Sequence, residues 1–165
     1  MPTGLAQARR EIHRMKSTLD AIYVRYEKSL FDVPIDLQQD LHLYICVRLS
    51  GYLEQLLHQA ISAYVTETAG PAATSFALSW FKQAPNLNPN SMEKLIARLG
   101  QEWEADLRDF LDKGNNRGSL GTLLKIRNDT AHGKSYAGSL ASVRSYKQLV
   151  DDIHGWVCDR IIDSS

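Results

Sequence analysis

The chain has 165 residues and balances 19 Lys and Arg against 19 Asp and Glu, so no global basic field draws in nucleic acid and any such contact must be local. Charge recurs in every turn of the first thirty residues, which speaks against a signal peptide, and no stretch approaches the roughly 18 to 20 uninterrupted apolar residues of a membrane helix. Cys46 and Cys158 are too few for a disulfide scaffold, so a reduced, cytoplasmic setting is expected, with 1–165 folding as a single domain.

The pattern is helical nearly throughout. Leu5, Ala8, Ile12, Met15, Leu19, Ile22 and Tyr26 alternate steps of three and four, a narrow seam that packs against another helix, with Thr3 as its N-cap. Pro34 interrupts the pattern, and Asp36 can cap a long helix over residues 37–68 that Gly70-Pro71 stops. A shorter helix over 72–82 leads to the loop "APNLNPN". Asn90, with Glu93 three residues on, reads as a capping box for a helix over 91–99, and another helix runs over 101–113. "KGNNRGS" is a break, after which Ser119 can cap a short helix. "GKSYAGS" is the next break, and Ser139 caps a last helix to about residue 162, with Leu140, Val143, Leu149, Val150, Ile153, Val157 and Ile161 on one side. No alternating strand pattern or internal repeat is present, so the expected fold is an all-α bundle of about five to seven helices.

The short helix holds the densest chemistry, in "KIRNDTAHGKS". Leu120, Leu124, Arg127 and Ala131 fall at steps of four, three and four, so Arg127 sits on the core stripe, where a charge is costly unless paired. Glu54, mid-helix among Leu53, Leu56 and Leu57, is the obvious partner. Asn128 and His132 are four apart on one face, Asp129 and His132 three apart, and Gly133 is a ready C′ residue. Taken singly, these residues have ordinary explanations: a buried ion pair, and a histidine before a capping glycine. Together they suit phosphate chemistry.

Arg127-Asn128-x-x-x-His132-Gly133 resembles the signature of the HEPN domain, an Arg followed four to six residues later by His, and "RNDTAHG" is close to the "RNxxAHG" form of several subfamilies. The order of elements is similar too: two long helices, the motif at the end of a late helix, then one helix to close the bundle. HEPN toxins paired with nucleotidyltransferase-like antitoxins usually carry Tyr two residues after the His, where this chain has Lys134. The "AHG" ending is more similar to the HEPN domains grouped with RiboL-PSP proteins or with phage-defence systems.

The resemblance implies a cytoplasmic ribonuclease of the toxin or defence kind. It implies a homodimer with two motifs facing across a cleft, no metal or other cofactor, and an antitoxin or regulatory protein as a further partner. His132 would be the general base or acid, Arg127 the clamp on the phosphate oxygens, and Asn128 the residue that orients phosphate or histidine. Asp129 and Glu54 would support them. Arg117, Lys125 and Lys134, with Arg127, outnumber the one acid between 117 and 134, and this local excess could bind RNA. A HEPN module that binds RNA or a protein without cutting is the alternative.

Other signals are weaker. "HGKS" has the Gly-Lys-Ser of a phosphate-binding loop but lacks its first glycine and a preceding strand, and no G-x-S-x-G elbow is present. His42 with Cys46 and His154 with Cys158 are each four apart on helices, so the two pairs would make a zinc site only if they met. Trp80-Phe81 and Trp103 could stack bases, although aromatic residues at helical spacing ordinarily pack in cores.

Overall fold

A computed structural model describes residues 4–164. It contains seven α-helices and, among those residues, no strand: α1 Gly4–Ser29, α2 Ile35–Thr68, α3 Pro71–Ser79, α4 Pro89–Ala97, α5 Gln101–Asp112, α6 Asn116–Ala131 and α7 Leu140–Val157. A short 3₁₀ turn, Leu30–Asp32, links α1 to α2, and a π-helical turn, Cys158–Ile162, extends α7.

The long helix α2 is the axis of the bundle. Ile45, Leu49, Leu53, Leu56, Leu57 and Ala60 are all buried, because α1, α6 and α7 pack around it. A helix that is apolar on most of its circumference is stable only inside such a ring. The seam of α1 closes on α2 through Leu5, Ala8, Ile12, Leu19 and Tyr26, with Met15 and Ile22 half-buried. Every apolar position foreseen on the last helix is buried except Leu140, which is half-buried.

The helix ends differ from the sequence reading in several places, each for a local reason. Pro34 takes the N-cap position of α2, so Asp36 lies in the first turn, where its charge suits the helix dipole. Helix α3 stops at Ser79, with Trp80 as its C-cap. Asn88, not Asn90, caps α4: Pro89 has its φ preset for the first helical position, and Asn88 and Ser91 form the capping box. Glu93 is thereby released to pair with Arg117. Helix α6 begins at Asn116, three residues before Ser119, and is anchored by the Asn116 amide donating to the Phe110 carbonyl at 2.9 Å. Ser139 does cap α7, accepting from the Ser142 N–H at 3.2 Å. The Thr3 cap lies outside the described residues.

Candidate functional site

Helices α2 and α6 are locked in one register, and that register creates the site. The buried Ser50 hydroxyl donates to the Leu123 carbonyl at 3.2 Å. One turn further along both helices, Glu54 meets Arg127, Nη2 to Oε2 at 3.1 Å. The charge on the apolar stripe has thus found the partner the stripe demanded. Glu54 is buried, its side chain 7% exposed, whereas the Arg127 side chain is 36% exposed. Burial raises the Glu54 carboxyl above its usual range; the Arg127 charge and the Leu87 backbone N–H act against that rise. Asn86 Oδ1 accepts a second hydrogen bond from Arg127 Nη1 at 3.3 Å. Two fixed acceptors therefore aim the guanidinium, and its remaining N–H groups stay available for a phosphate.

Those groups border an open groove of about 450 Å³ between α1, α2 and α6. Its wall carries two further arginines that sequence reasoning missed, Arg14 of α1 and Arg48 of α2. Arg14 is paired with Glu11 at 2.8 Å. Arg48 is exposed and has no ion-pair partner among the described residues. Gly51, one turn from Arg48, leaves the floor open, since a Cβ there would meet nothing within 4 Å.

At the other end of the motif, α6 closes in a Schellman turn. His132 is the C-cap, Gly133 adopts φ +73°, the Gly133 N–H donates to the Thr130 carbonyl at 3.0 Å, and the Lys134 N–H reaches the Asp129 carbonyl at 2.9 Å. Gly133 is needed here because a positive φ strains any residue with a Cβ. The segment that follows is gripped by Gln39, whose amide accepts from the Gly138 N–H at 2.8 Å and donates to its carbonyl at 3.2 Å. His132 is held on this turn with its ring exposed, and neither it nor Asn128 has a side-chain partner among the described residues.

The structure joins some of the anticipated residues and separates others. Lys125 and Lys134 both pair with Asp129, whose carboxyl is held below its usual range first by the Lys125 hydrogen bond. Arg117 stands ten residues before Arg127, about 15 Å along the helix, and its charge is taken up by Glu93 and by Asp112 at 2.9 Å. Much of the foreseen basic excess is thus internally paired. Arg127 and His132 are five residues apart, about 140° around a helix, and His132 does not line the groove that Arg127 borders.

Both histidines of the histidine–cysteine pairs are held by tyrosines, while the Cys158 thiol stays 3.8 Å from His154 Nε2. His42 Nδ1 lies 2.6 Å from the Tyr26 hydroxyl and His154 Nδ1 2.7 Å from that of Tyr52, while the Cys46 thiol faces Tyr136. Among the described residues no group of three or more His, Cys, Asp or Glu side chains is placed to hold a metal ion. Nor is any described helix long and apolar enough to cross a membrane.

An all-helical bundle with an Arg-Asn-x-x-x-His motif at the end of its sixth helix has the HEPN arrangement. The RiboL-PSP-HEPN family model matches residues 10–159, and the chain belongs to this family. No curated protein and no solved structure matches the chain. HEPN families include ribonucleases.

Proposed function

We propose that this chain is a metal-independent endoribonuclease of the toxin or defence type, acting as a homodimer. The observation that carries the reading is Arg127, aimed by Glu54 and Asn86 at an open groove that holds the unpaired Arg48. RNA brings its own nucleophile, so the protein must move two protons and stabilise a charged phosphorane. One His132 takes the proton of the 2′-OH as its oxygen attacks phosphorus. The P–O5′ bond breaks, and a protonated imidazole donates its proton to the leaving 5′-oxygen. The products are a 2′,3′-cyclic phosphate and a 5′-OH. Arg127 holds the non-bridging oxygens through its planar fork, and Asn128 orients phosphate or imidazole.

The separation of Arg127 from His132 within one chain supports a site shared by two copies. An exposed apolar stripe supports the same point. The exposed Leu37 and Tyr44, with the half-buried Leu41 between them, fall on one line of α2 that ends at Arg48 on the groove, and Phe31 and Ile35 just before them in the chain are exposed as well. The test is an RNA strand with 2′-deoxy substitution at a mapped cleavage site. Cleavage there should stop while neighbouring sites are still cut; unaltered cleavage would overturn the 2′-OH mechanism. A second reading, a HEPN module that binds RNA or a partner protein without cutting, draws on the engagement of Arg127 by Glu54. It predicts RNA binding with no products.

A further inference from the structure

The loop that delivers Asn86 to Arg127 begins at an unusual surface. Helix α3 carries no charged residue and buries none of its side chains. At its end Phe76 is 70% exposed and Trp80 80% exposed, the largest exposure among the big apolar residues described. Trp103, equally eligible by sequence, is instead packed half-buried against Tyr64, ring centroids 5.1 Å apart. Trp80 and Phe81 form a ridge between two adjoining hollows of about 440 and 340 Å³, which share Leu95 and Arg98 as a wall. Lys94 lines the second hollow, Lys82 follows the ridge, and no acidic side chain lines either hollow. Lys82, Lys94 and Arg98 are all at least partly exposed and none has an ion-pair partner among the described residues. Elsewhere on this chain cations are commonly paired, as Lys16 and Lys147 are with Asp20 and Asp151.

We propose that the Trp80–Phe81 ridge, with Lys94 and Arg98, is a binding platform for single-stranded RNA that continues the substrate strand away from the Arg127 groove. The proposal rests on the ribonuclease reading and names its substrate class. The exposed Trp80 ring offers a face to any unpaired base, the half-buried Phe81 backs it with its own ring 4.9 Å from that of His58, and unpaired cations beside them offer counter-charge to the RNA backbone. The loop supplies the continuity. Phe81 is fixed by its carbonyl, 3.0 Å from His58 Nε2; Pro85 and Leu87 line the second hollow; Asn86 between them bonds Arg127. Asn86 stands six positions after Trp80, so their backbones lie within about 20 Å of each other. That is within reach of the several nucleotides such platforms cover. Base-paired RNA hides its faces, so the platform selects unpaired strands.

The test uses the full chain and a labelled single strand of about a dozen uridines, with affinity read by fluorescence anisotropy at several salt concentrations. Trp80→Ala should weaken binding roughly ten- to a hundredfold, the range of one lost stacking contact. Trp80→Phe should recover most of it. Arg98→Glu should weaken binding and flatten the salt dependence. Cleavage of a dinucleotide, too short to reach the ridge, should be unchanged in all three. Equal affinity across wild type and variants overturns the platform. So does a wild type that binds no RNA, or a Trp80→Ala variant that changes assembly state while keeping its RNA affinity. Cleavage by wild type with no effect of Trp80 removes the platform alone. Binding that depends on Trp80 without any cleavage keeps the platform and removes the nuclease.

Discussion

Replacing Arg127 by Ala should lower stability as well as activity, and the structure gives the size of the effect. The substitution strands the Glu54 carboxylate, 7% exposed, among Leu53, Leu56 and Leu57. Breaking a fully buried pair in this way costs about 3–5 kcal/mol. Two features reduce that figure. Arg127 is itself 36% exposed at a groove, so water can enter where it stood, and the Leu87 N–H still solvates the carboxylate. We therefore expect about 2 kcal/mol at neutral pH, or about 4–8 °C in Tm for a chain of this size. The cost depends on pH. Burial already raises the Glu54 pKa above its unfolded value, and losing Arg127 raises it further. The variant then takes up a proton at a higher pH than the wild type, so its deficit shrinks as pH falls through that raised value and is largest above it. Urea unfolding of wild type, Arg127→Ala, Glu54→Gln and the double variant at pH 5 and pH 8 checks this. The double variant should regain most of the loss. A deficit that is the same at both pH values, or that persists undiminished when Arg127→Ala is combined with Glu54→Gln, refutes the stranded-carboxylate argument.

Arg48→Glu should weaken RNA binding several-fold and reduce its salt slope by about one, with Tm unchanged because Arg48 is exposed and unpaired; a filter-binding series across salt reads both. Gly133→Ala should cost about 1–2 kcal/mol, since φ +73° is strained for any residue with a Cβ, and should lower RNA cleavage by shifting His132, an outcome checked by calorimetry beside a cleavage assay. Burial holds the imidazoles of His42 and His154 below their usual range, so they stay neutral in the fold while the unfolded chain protonates near pH 6.5. Their contribution is complete above that pH and is lost as pH falls toward their folded values; denaturant midpoints should drop between pH 7 and pH 5, and less so in His154→Gln.

The fold was legible because its helices advertise themselves by period and by punctuation. The seam of α1, the long apolar α2, and the Pro and Gly breaks each have one simple reading, and the structure agrees with it. Helix starts were less legible where the sequence offers several caps together, as with Asn88 and Asn90, or Asn115, Asn116 and Ser119. There the choice falls to Pro89 and to the Asn116–Phe110 bond, which are details of packing. The Arg127–Glu54 contact could be foreseen because a charge on an apolar stripe needs an opposite one, and α2 offers Glu54 as an acid among its leucines. Arg48 and Arg14 could not, since no need for an opposite charge ties them to Arg127 and only the packing of α1, α2 and α6 brings them to its groove. Nor could sequence tell that Trp103 packs inward and Trp80 outward, because both stand at helical spacing beside apolar neighbours.

The most direct test of the central claim is cleavage of total tRNA and of a single-stranded oligonucleotide in EDTA by the folded wild type and by His132→Ala. The account predicts cleavage that survives chelation, leaves a 2′,3′-cyclic phosphate, and disappears in the variant. Cleavage by His132→Ala at the wild-type rate, or no cleavage by the correctly folded wild-type protein, would contradict it.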